Sequence, residues 1–189
     1  MVTLQDTDIV SALQEDGERG FRLLMTKYKQ AVYWHIRRLV VSHDDAQDAV
    51  QETFIRVFRS FNKFKGKDSM VQLQERCSLT AWIYRIATNE ALRMLQRNHN
   101  NQLSLENVQT EANRLKADNY VDYNDLEAVK LQKAILSLST KQQLAFNLRY
   151  YDELGYDEIA NITGSTSANV KANYHIAKEK IVKYMKTND

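Results

Sequence analysis

The chain of 189 residues contains no proline and only five glycines. Proline removes a backbone N–H and clashes with the preceding helical turn, and glycine costs a helix about 1 kcal/mol relative to alanine. Long helices can therefore run through this sequence without the usual interruptions. Hydrophobic residues make up 43% of the chain, which is enough to fill the core between such helices. The sequence predicts an all-α fold.

Composition also excludes several classes of protein. No apolar run approaches the roughly 20 residues of a membrane-spanning helix, and the N-terminus lacks a signal-peptide pattern. We therefore expect a cytoplasmic protein that does not insert into a membrane. One cysteine, Cys77, and four widely separated histidines argue against a disulfide, a structural metal or another cofactor. Because no nucleophile–base pair or glycine-rich phosphate loop stands out, we do not expect an enzyme.

The first half of the chain has the pattern of several amphipathic helices. Apolar residues recur at helical spacing from Phe21 to Ile36, and another helix is predicted at Leu79–Arg97. A helix between these two places its apolar residues on one stripe. The members of that stripe are Ala46, Ala49, Val50, Thr53, Phe54, Val57, Phe58 and Phe61.

The opposite face of this middle helix is acidic and polar. Asp44, Asp48, Gln51 and Glu52 all fall outside the apolar stripe. One interpretation is a solvated face that only keeps the protein soluble. The other is a binding surface for a protein, because carboxylates repel the phosphates of a nucleic acid.

Polar segments divide the chain into domains. The segment Asn62–Ser78 has loop chemistry, and the apolar pattern fades again from Asn98 to Asn124. We therefore predict a first domain at residues 1–97, a flexible linker at 98–124 and a second domain at 125–189. The net charge is only +2, so DNA binding would depend on local patches such as the lysine-rich C-terminal end.

The segment Tyr156–Lys171 has the pattern of a helix-turn-helix. Gly164 is suited to the positive φ of the turn, and Thr166 or Ser167 can cap the second helix. Val170, Tyr174 and Ala177 are predicted to pack inward. The outward side chains suit a DNA groove, and they are Asn169, Lys171, Asn173, His175 and Lys178. An ordinary αα-hairpin with a solvated face is the alternative.

Three blocks of sequence, in this order, resemble the extracytoplasmic-function group of bacterial sigma factors. They are Asp44–Phe58 (DDAQDAVQETFIRVF), Trp82–Asn89 (WIYRIATN) and Leu148–Ala160 (LRYYDELGYDEIA). The resemblance covers nearly the whole chain. It implies that residues 1–97 form sigma region two, which binds RNA polymerase core and opens the minus-ten element, and that residues 125–189 form region four, which reads the minus-thirty-five element.

The resemblance also implies roles for individual residues. Asp48, Gln51 and Glu52 match positions where the family contacts the clamp helices of polymerase core, with Ile55 and Arg56 at the margin of that surface. The flap of polymerase core is a further expected contact. Minus-ten contacts are expected from Tyr84, Arg85, Thr88, Asn89 and Arg93, whose aromatic, amide and cationic groups suit unpaired bases. Minus-thirty-five contacts are expected from Ser167, Asn169, Lys171, Asn173, His175 and Lys178.

Other functions remain open from the sequence. A dimeric helix-turn-helix regulator would also need the C-terminal domain, but it would not need the acidic face to bind polymerase. A helical adaptor would explain the acidic face and leave the basic C-terminal helices unexplained. An anti-sigma factor is a further partner that the family commonly has. The segment Asn62–Ser78 is longer than the family's usual loop, so the residues that capture a promoter base there are not identified.

Overall fold

The computed structural model describes residues 4–63, 78–101 and 125–187. Within these residues the chain forms helices and no strand, which confirms the all-α prediction. The helices are α1 (Asp6–Glu15), α2 (Gly17–Val40), α3 (His43–Lys63), α4 (Leu79–Asn101), α5 (Leu126–Leu136), α6 (Thr140–Tyr150), α7 (Tyr156–Thr163) and α8 (Ser167–Thr187).

Helices α1 to α4 form the first bundle, in which α2 packs against each of the other three. The apolar stripe predicted on α2 faces inward, with Leu24, Val32 and Ile36 fully buried. The stripe of α3 is buried as predicted except at Phe58, whose side chain is 41% exposed. Phe58 instead packs edge-on against the ring of Phe21 near the surface.

Tyr28 connects three helices of the first bundle. Its hydroxyl donates to Asp6 Oδ1 of α1 at 2.6 Å and shares a hydrogen bond of 2.8 Å with Thr80 Oγ1 of α4. Burial of the phenol, together with the hydrogen bond to the Asp6 carboxylate, raises the pKa of Tyr28 well above its usual range. The neutral hydroxyl therefore remains a donor at physiological pH.

Helices α1 and α2 cross closely at Gly20. The turn before α2 is fixed by Asp16, whose carboxylate accepts hydrogen bonds from the backbone N–H groups of Glu18 and Arg19. Gly20 is buried beside Leu13, and a Cβ atom placed on it would overlap the backbone N and Cα of Leu13. The absence of a side chain at Gly20 is therefore what permits α1 to lie against α2.

Two predicted element boundaries are wrong. Helix α3 continues to Lys63, so Asn62 and Lys63 are helical rather than part of the predicted loop. Helix α4 continues to Asn101 instead of ending at Arg97. The remainder of the predicted loop and of the predicted linker, residues 64–77 and 102–124, lies outside the described residues, as does Cys77.

Helices α5 to α8 form the second bundle. As predicted, α7 and α8 make a helix-turn-helix in which Gly164 has φ 66° and Thr166 Oγ1 accepts a hydrogen bond from the backbone N–H of Asn169. Val170 and Ala177 are buried, and Tyr174 is half-buried against both Phe146 and Tyr156. The prediction that these three residues pack inward is confirmed.

The two bundles lie against each other. Helix α4 packs on α7, and α2 contacts α6. Leu144 of α6 joins the core of the first bundle, while Ala81 and Tyr84 of α4 join a cluster with Ile159 and Ala160 of α7. The first helix of the helix-turn-helix is therefore covered, whereas most of the outward side chains of α8 remain in solvent.

A Gly20→Ala variant tests the crossing of α1 and α2. We expect it to be destabilised by about 1–3 kcal/mol, because the added methyl group forces α1 away from α2. Urea denaturation followed by circular dichroism measures the change. Gly17→Ala is the matched control, since nothing lies within 4 Å of a Cβ at that position in the first turn of α2. Equal stability of the Gly20→Ala variant and the wild type would contradict the close crossing.

Candidate functional site

The polar residues predicted for polymerase binding form an exposed row along α3. We call Asp48, Gln51 and Glu52 the acidic ridge, and the side chains of all three are exposed. They border a small cleft of about 190 Å³ that is closed on the other side by Met94 and Arg97 of α4. Within the described residues, neither Asp48 nor Glu52 forms an ion pair, so the ridge offers two carboxylates to a partner.

An apolar groove lies beside the acidic ridge, between α2 and α3. Its volume is about 820 Å³, and its lining includes Gln51 of the ridge and Ile55. The apolar lining is completed by Phe21, Met25, Tyr33, Val50, Phe54 and Phe58. Sequence periodicity assigned Val50, Phe54 and Phe58 to the core. Val50 and Phe54 are buried, but Phe58 is exposed in the groove, because helical spacing alone does not separate a filled core from an open groove.

Arg56 stands apart from the ridge and the groove. Its Nε donates to Glu90 Oε1 of α4 at 2.6 Å, so the side chain is directed towards α4. Glu90 is also paired with Arg93, at 2.8 Å from Oε1. The structure therefore brings Asp48, Gln51, Glu52 and Ile55 together and groups Arg56 with residues that were predicted to contact DNA.

The five predicted minus-ten residues of α4 divide into two sets. Arg85, Asn89 and Arg93 are exposed. Tyr84 and Thr88 are only 5% and 2% exposed. The buried pair faces the second bundle and α2, so in this arrangement neither side chain is accessible to a ligand.

Asp152, in the turn after α6, is the centre of the contact that buries Tyr84. Its carboxylate accepts from Arg38 Nη2 at 2.5 Å and from the Tyr84 hydroxyl at 3.4 Å, and it lies 3.3 Å from His35 Nδ1. The other ring nitrogen of His35 shares a 2.9 Å hydrogen bond with Thr88 Oγ1. Asp152 was not singled out in the sequence, since none of its three partners is nearby in the chain.

Burial shapes the chemistry of this contact. The side chain of Asp152 is 6% exposed and that of Arg38 is 12% exposed, so the ion pair is largely shielded from water. Burial raises the pKa of Tyr84 well above its usual range, and the Asp152 carboxylate adds to the rise while Arg38 opposes it. The guanidinium of Arg38 also lies 4.8 Å from the ring centre of Tyr151.

Among the described residues, two further polar groups of α6, Gln143 and Asn147, have weak or missing hydrogen bonds. Gln143 donates weakly to the Arg38 carbonyl at 3.5 Å. One helical turn further along α6, the amide nitrogen and oxygen of buried Asn147 have no hydrogen-bond partner within the described residues. An unsatisfied buried amide costs roughly 1–3 kcal/mol. The interface therefore combines polar groups with the apolar packing of Leu144, Ala81 and Tyr84 across the two bundles.

The outward face of α8 is largely as predicted. Asn169, Lys171, His175 and Lys178 are exposed, and the last three lie on one side at helical spacing. Ser167 is half-buried and donates to Asp157 of α7, and the amide of Asn173 donates to the Asn169 carbonyl at 2.8 Å. Ser167 and Asn173 thus have bonds within the helix-turn-helix, while the other four side chains reach solvent.

Metal sites and membrane-spanning helices are both absent from the described part of the chain. Residues 4–63, 78–101 and 125–187 contain no group of three or more histidine, cysteine, aspartate or glutamate residues placed to hold a metal ion. The helices within the same ranges include none that is both long enough and apolar enough to cross a membrane.

One helical bundle with an exposed acidic helix face and a second with a helix-turn-helix are the architecture of a two-domain DNA-binding protein. Family comparisons agree with that architecture: residues 24–100 match sigma-70 region 2, and residues 128–181 match sigma-70 region 4. The chain belongs to the sigma-70 family, in its extracytoplasmic-function group, and is a sigma factor of RNA polymerase.

Relatives of known name are similar over most of the chain. The RNA polymerase sigma-H factor of Pseudomonas aeruginosa is 28% identical, with 95% of this chain and 93% of the relative covered. The ECF RNA polymerase sigma-E factor of Haemophilus influenzae is 27% identical, with 94% of each covered. The match of the first domain to region 2 does not favour the alternative of a dimeric regulator.

Two solved structures share the fold. The structure of CnrH in complex with the cytosolic domain of CnrY has a TM-score of 0.70 at 16% identity, covering 97% of this chain and 99% of that one. RpoE from Bartonella quintana, in complex with the anti-sigma factor NepR, has a TM-score of 0.66 at 23% identity and covers 89% of this chain and 98% of its own.

An Asp152→Asn variant tests the contact between the bundles. We expect destabilisation on the order of 3 kcal/mol, because Arg38 would remain largely buried without its carboxylate. Thermal unfolding followed by circular dichroism should show the lower midpoint. Glu153→Gln is the matched control, because it removes the same charge from the exposed neighbouring residue. A midpoint for Asp152→Asn equal to that of the control would show that the pair does not hold the bundles together.

Proposed function

We propose that this sigma factor binds RNA polymerase core through the acidic ridge and the adjoining groove. The supporting observation is that both surfaces share α3: Asp48 and Glu52 supply charge, while Gln51 and Ile55 border the apolar lining. Complementary charge sets orientation and association rate, and apolar anchors in a groove supply most of the affinity. A basic helical coiled coil, such as the polymerase clamp helices, fits this combination.

On this proposal residues 1–97 act as region two and residues 125–189 as region four. Arg85, Asn89 and Arg93 would contact the minus-ten element from the exposed face of α4. Region four would contact the polymerase flap and would read the minus-thirty-five element through α8. The exposed side chains of α8 suit a major groove because Lys171, His175 and Lys178 form one cationic or polar row beside Asn169.

Promoter recognition then requires the two bundles to separate. Tyr84 and Thr88, which complete the proposed minus-ten surface, lie beneath α7 and against His35 while the bundles are in contact. The polar groups that cross the contact, Asp152, Arg38 and Gln143, can bond to water once the bundles separate, which reduces the cost of separation. We infer that binding to polymerase core and promoter supplies the remaining free energy.

The energetics of DNA opening assign the main work to polymerase. Opening about ten base pairs costs on the order of 14 kcal/mol, at about 1.4 kcal/mol per step. Stacking returns roughly 1–3 kcal/mol for each captured base. A chain that holds one or two bases cannot offset this cost by itself. On this proposal the chain is a cytoplasmic subunit that supplies promoter specificity to polymerase and has no catalytic site of its own.

Regulation by an anti-sigma factor belongs to the same proposal. RpoE from Bartonella quintana, which shares the fold of this chain, was solved with the anti-sigma factor NepR. The exposed groove between α2 and α3 and the separable contact between the bundles are both accessible to such a partner. We propose that an inhibitor of this kind competes with polymerase core for the chain.

Charge reversal at the acidic ridge tests the proposed function. The Asp48→Lys/Glu52→Lys double variant should lose co-purification with polymerase core, because like charges would face the basic coiled coil, and run-off transcription should fall with it. Glu15→Lys/Glu127→Lys is the matched control, since it reverses two exposed charges away from the ridge, at the end of α1 and in the first turn of α5. Core binding by the double variant at wild-type strength would contradict the proposal.

A further inference from the structure

A second cleft, between α3 and α4, has the composition of an anion site. Its volume is about 390 Å³, and its polar lining is Arg56, Arg59, Ser60, Asn89, Glu90 and Arg93. Three guanidinium groups face one carboxylate, so the cleft carries an excess of positive charge. It opens on the side of α3 towards α4, whereas the apolar groove opens on the side towards α2.

Glu90 organises two of the three arginines. Its side chain is 4% exposed, and it accepts from Arg56 Nε at 2.6 Å and from Arg93 Nη1 at 2.8 and 3.0 Å. The side chains of Arg56 and Arg93 are still 45% and 44% exposed. Each guanidinium has five N–H donors, and these pairs use Nε of Arg56 and Nη1 of Arg93. The other donors are available to a ligand.

We propose that this cleft binds a phosphate of the promoter strand opened at the minus-ten element, and that Glu90 is a positioning residue that holds Arg56 and Arg93 for it. The inference rests on the proposed function, which places Asn89 against that strand. Arginine forks match phosphate oxygens, and phosphate contacts fix the register in which neighbouring side chains meet the bases. Asn89 lines the same cleft and is placed to meet the adjoining base.

This assignment moves Arg56 from the polymerase surface to the promoter surface. The resemblance to the family placed Arg56 at the margin of the polymerase contact, but its Nε is bonded to Glu90, on the α4 side. Arg59 lines both this cleft and the apolar groove, and it adds a third cation, whereas the ion pairs of Glu90 are those with Arg56 and Arg93. Helix α3 would therefore present an acidic surface to protein and a basic surface to DNA.

The direction in which Glu90→Gln changes DNA affinity distinguishes a positioning role of Glu90 from simple electrostatic attraction. Glu90→Gln removes a negative charge from the cleft, so Coulomb attraction alone predicts tighter DNA binding. If Glu90 instead positions Arg56 and Arg93, the same variant binds DNA more weakly although it has lost no cation. We expect a loss on the order of tenfold, which corresponds to one charge-assisted hydrogen bond.

The measurement uses holoenzyme isolated by gel filtration, so that core affinity does not limit the result. The probe is a fork-junction DNA whose minus-ten non-template strand is unpaired, taken from a promoter recovered by run-off transcription. Binding is measured over a range of salt concentrations. Arg59→Gln and Arg56→Gln should each reduce the slope of log K against log salt, and the reduction for each should not exceed about 0.7, the value for one phosphate of a single strand.

Two matched controls separate local from general effects. Arg22→Gln removes a cation that is paired with Glu18 on α2, and Glu15→Gln removes an exposed acid of α1. Both should leave the affinity and the slope at wild-type values. Arg59→Gln leaves both ion pairs of Glu90 intact. It therefore tests the phosphate cleft even if the Glu90→Gln chain fails to assemble into holoenzyme.

Distinct outcomes identify which idea fails. Wild-type chain that forms no holoenzyme overturns the proposed function itself. Holoenzyme that binds the fork normally, with unchanged salt slopes for Arg59→Gln and Arg56→Gln, overturns the phosphate cleft alone. Equal or tighter binding by Glu90→Gln holoenzyme overturns the positioning role of Glu90. A reduced slope for Glu90→Gln supports that role, because a residue needed only for folding would not change the number of phosphate contacts.

Discussion

The arrangement of the two bundles depends on the contacts of the buried Asp152 carboxylate. The carboxylate joins the turn after α6 to Arg38 and His35 on α2 and to Tyr84 on α4. A buried ion pair of this kind adds little net stability compared with apolar packing, but it penalises any arrangement that leaves one partner alone. The pair therefore specifies one relative position of the bundles, and that position covers Tyr84 and Thr88.

The same helix, α3, separates two kinds of partner by its geometry. Asp48 and Glu52 border the small cleft that Met94 and Arg97 of α4 close, and Arg56 and Arg59, which follow along the same helix, line the second cleft. Acidic groups favour a basic protein surface and repel phosphate, while arginines do the opposite. The two charge types therefore occupy successive parts of α3, and Arg59 lines both the second cleft and the apolar groove.

Much of the fold was predictable because helical periodicity is a local property. The stripes of α2 and α3, the positive φ of Gly164 and the cap at Thr166 all follow from residues within a few positions of one another. The ends of α3 and α4 were not predictable, since polar helical residues and polar loops have similar composition.

The parts of the site that the sequence missed depend on distant contacts. Asp152 meets Arg38 across 114 positions of the chain and His35 across 117. The spacing of Glu90 and Arg93 by three residues does predict an ion pair on one helix, but their link to Arg56 exists only once α3 lies beside α4. The groove was likewise not predictable, because an apolar stripe such as that of Phe54 and Phe58 on α3 does not show how much of it α2 covers.

The two bundles are in contact in the free chain, and we infer that they separate on the promoter. Spin labels at exposed Ser11 of α1 and Lys133 of α5, in a chain with Cys77→Ser, would report the distance between the bundles by electron–electron double resonance. We expect a single narrow distance in the free chain and a longer one in holoenzyme bound to promoter DNA. An identical distance in both states, in holoenzyme that still transcribes, would contradict it.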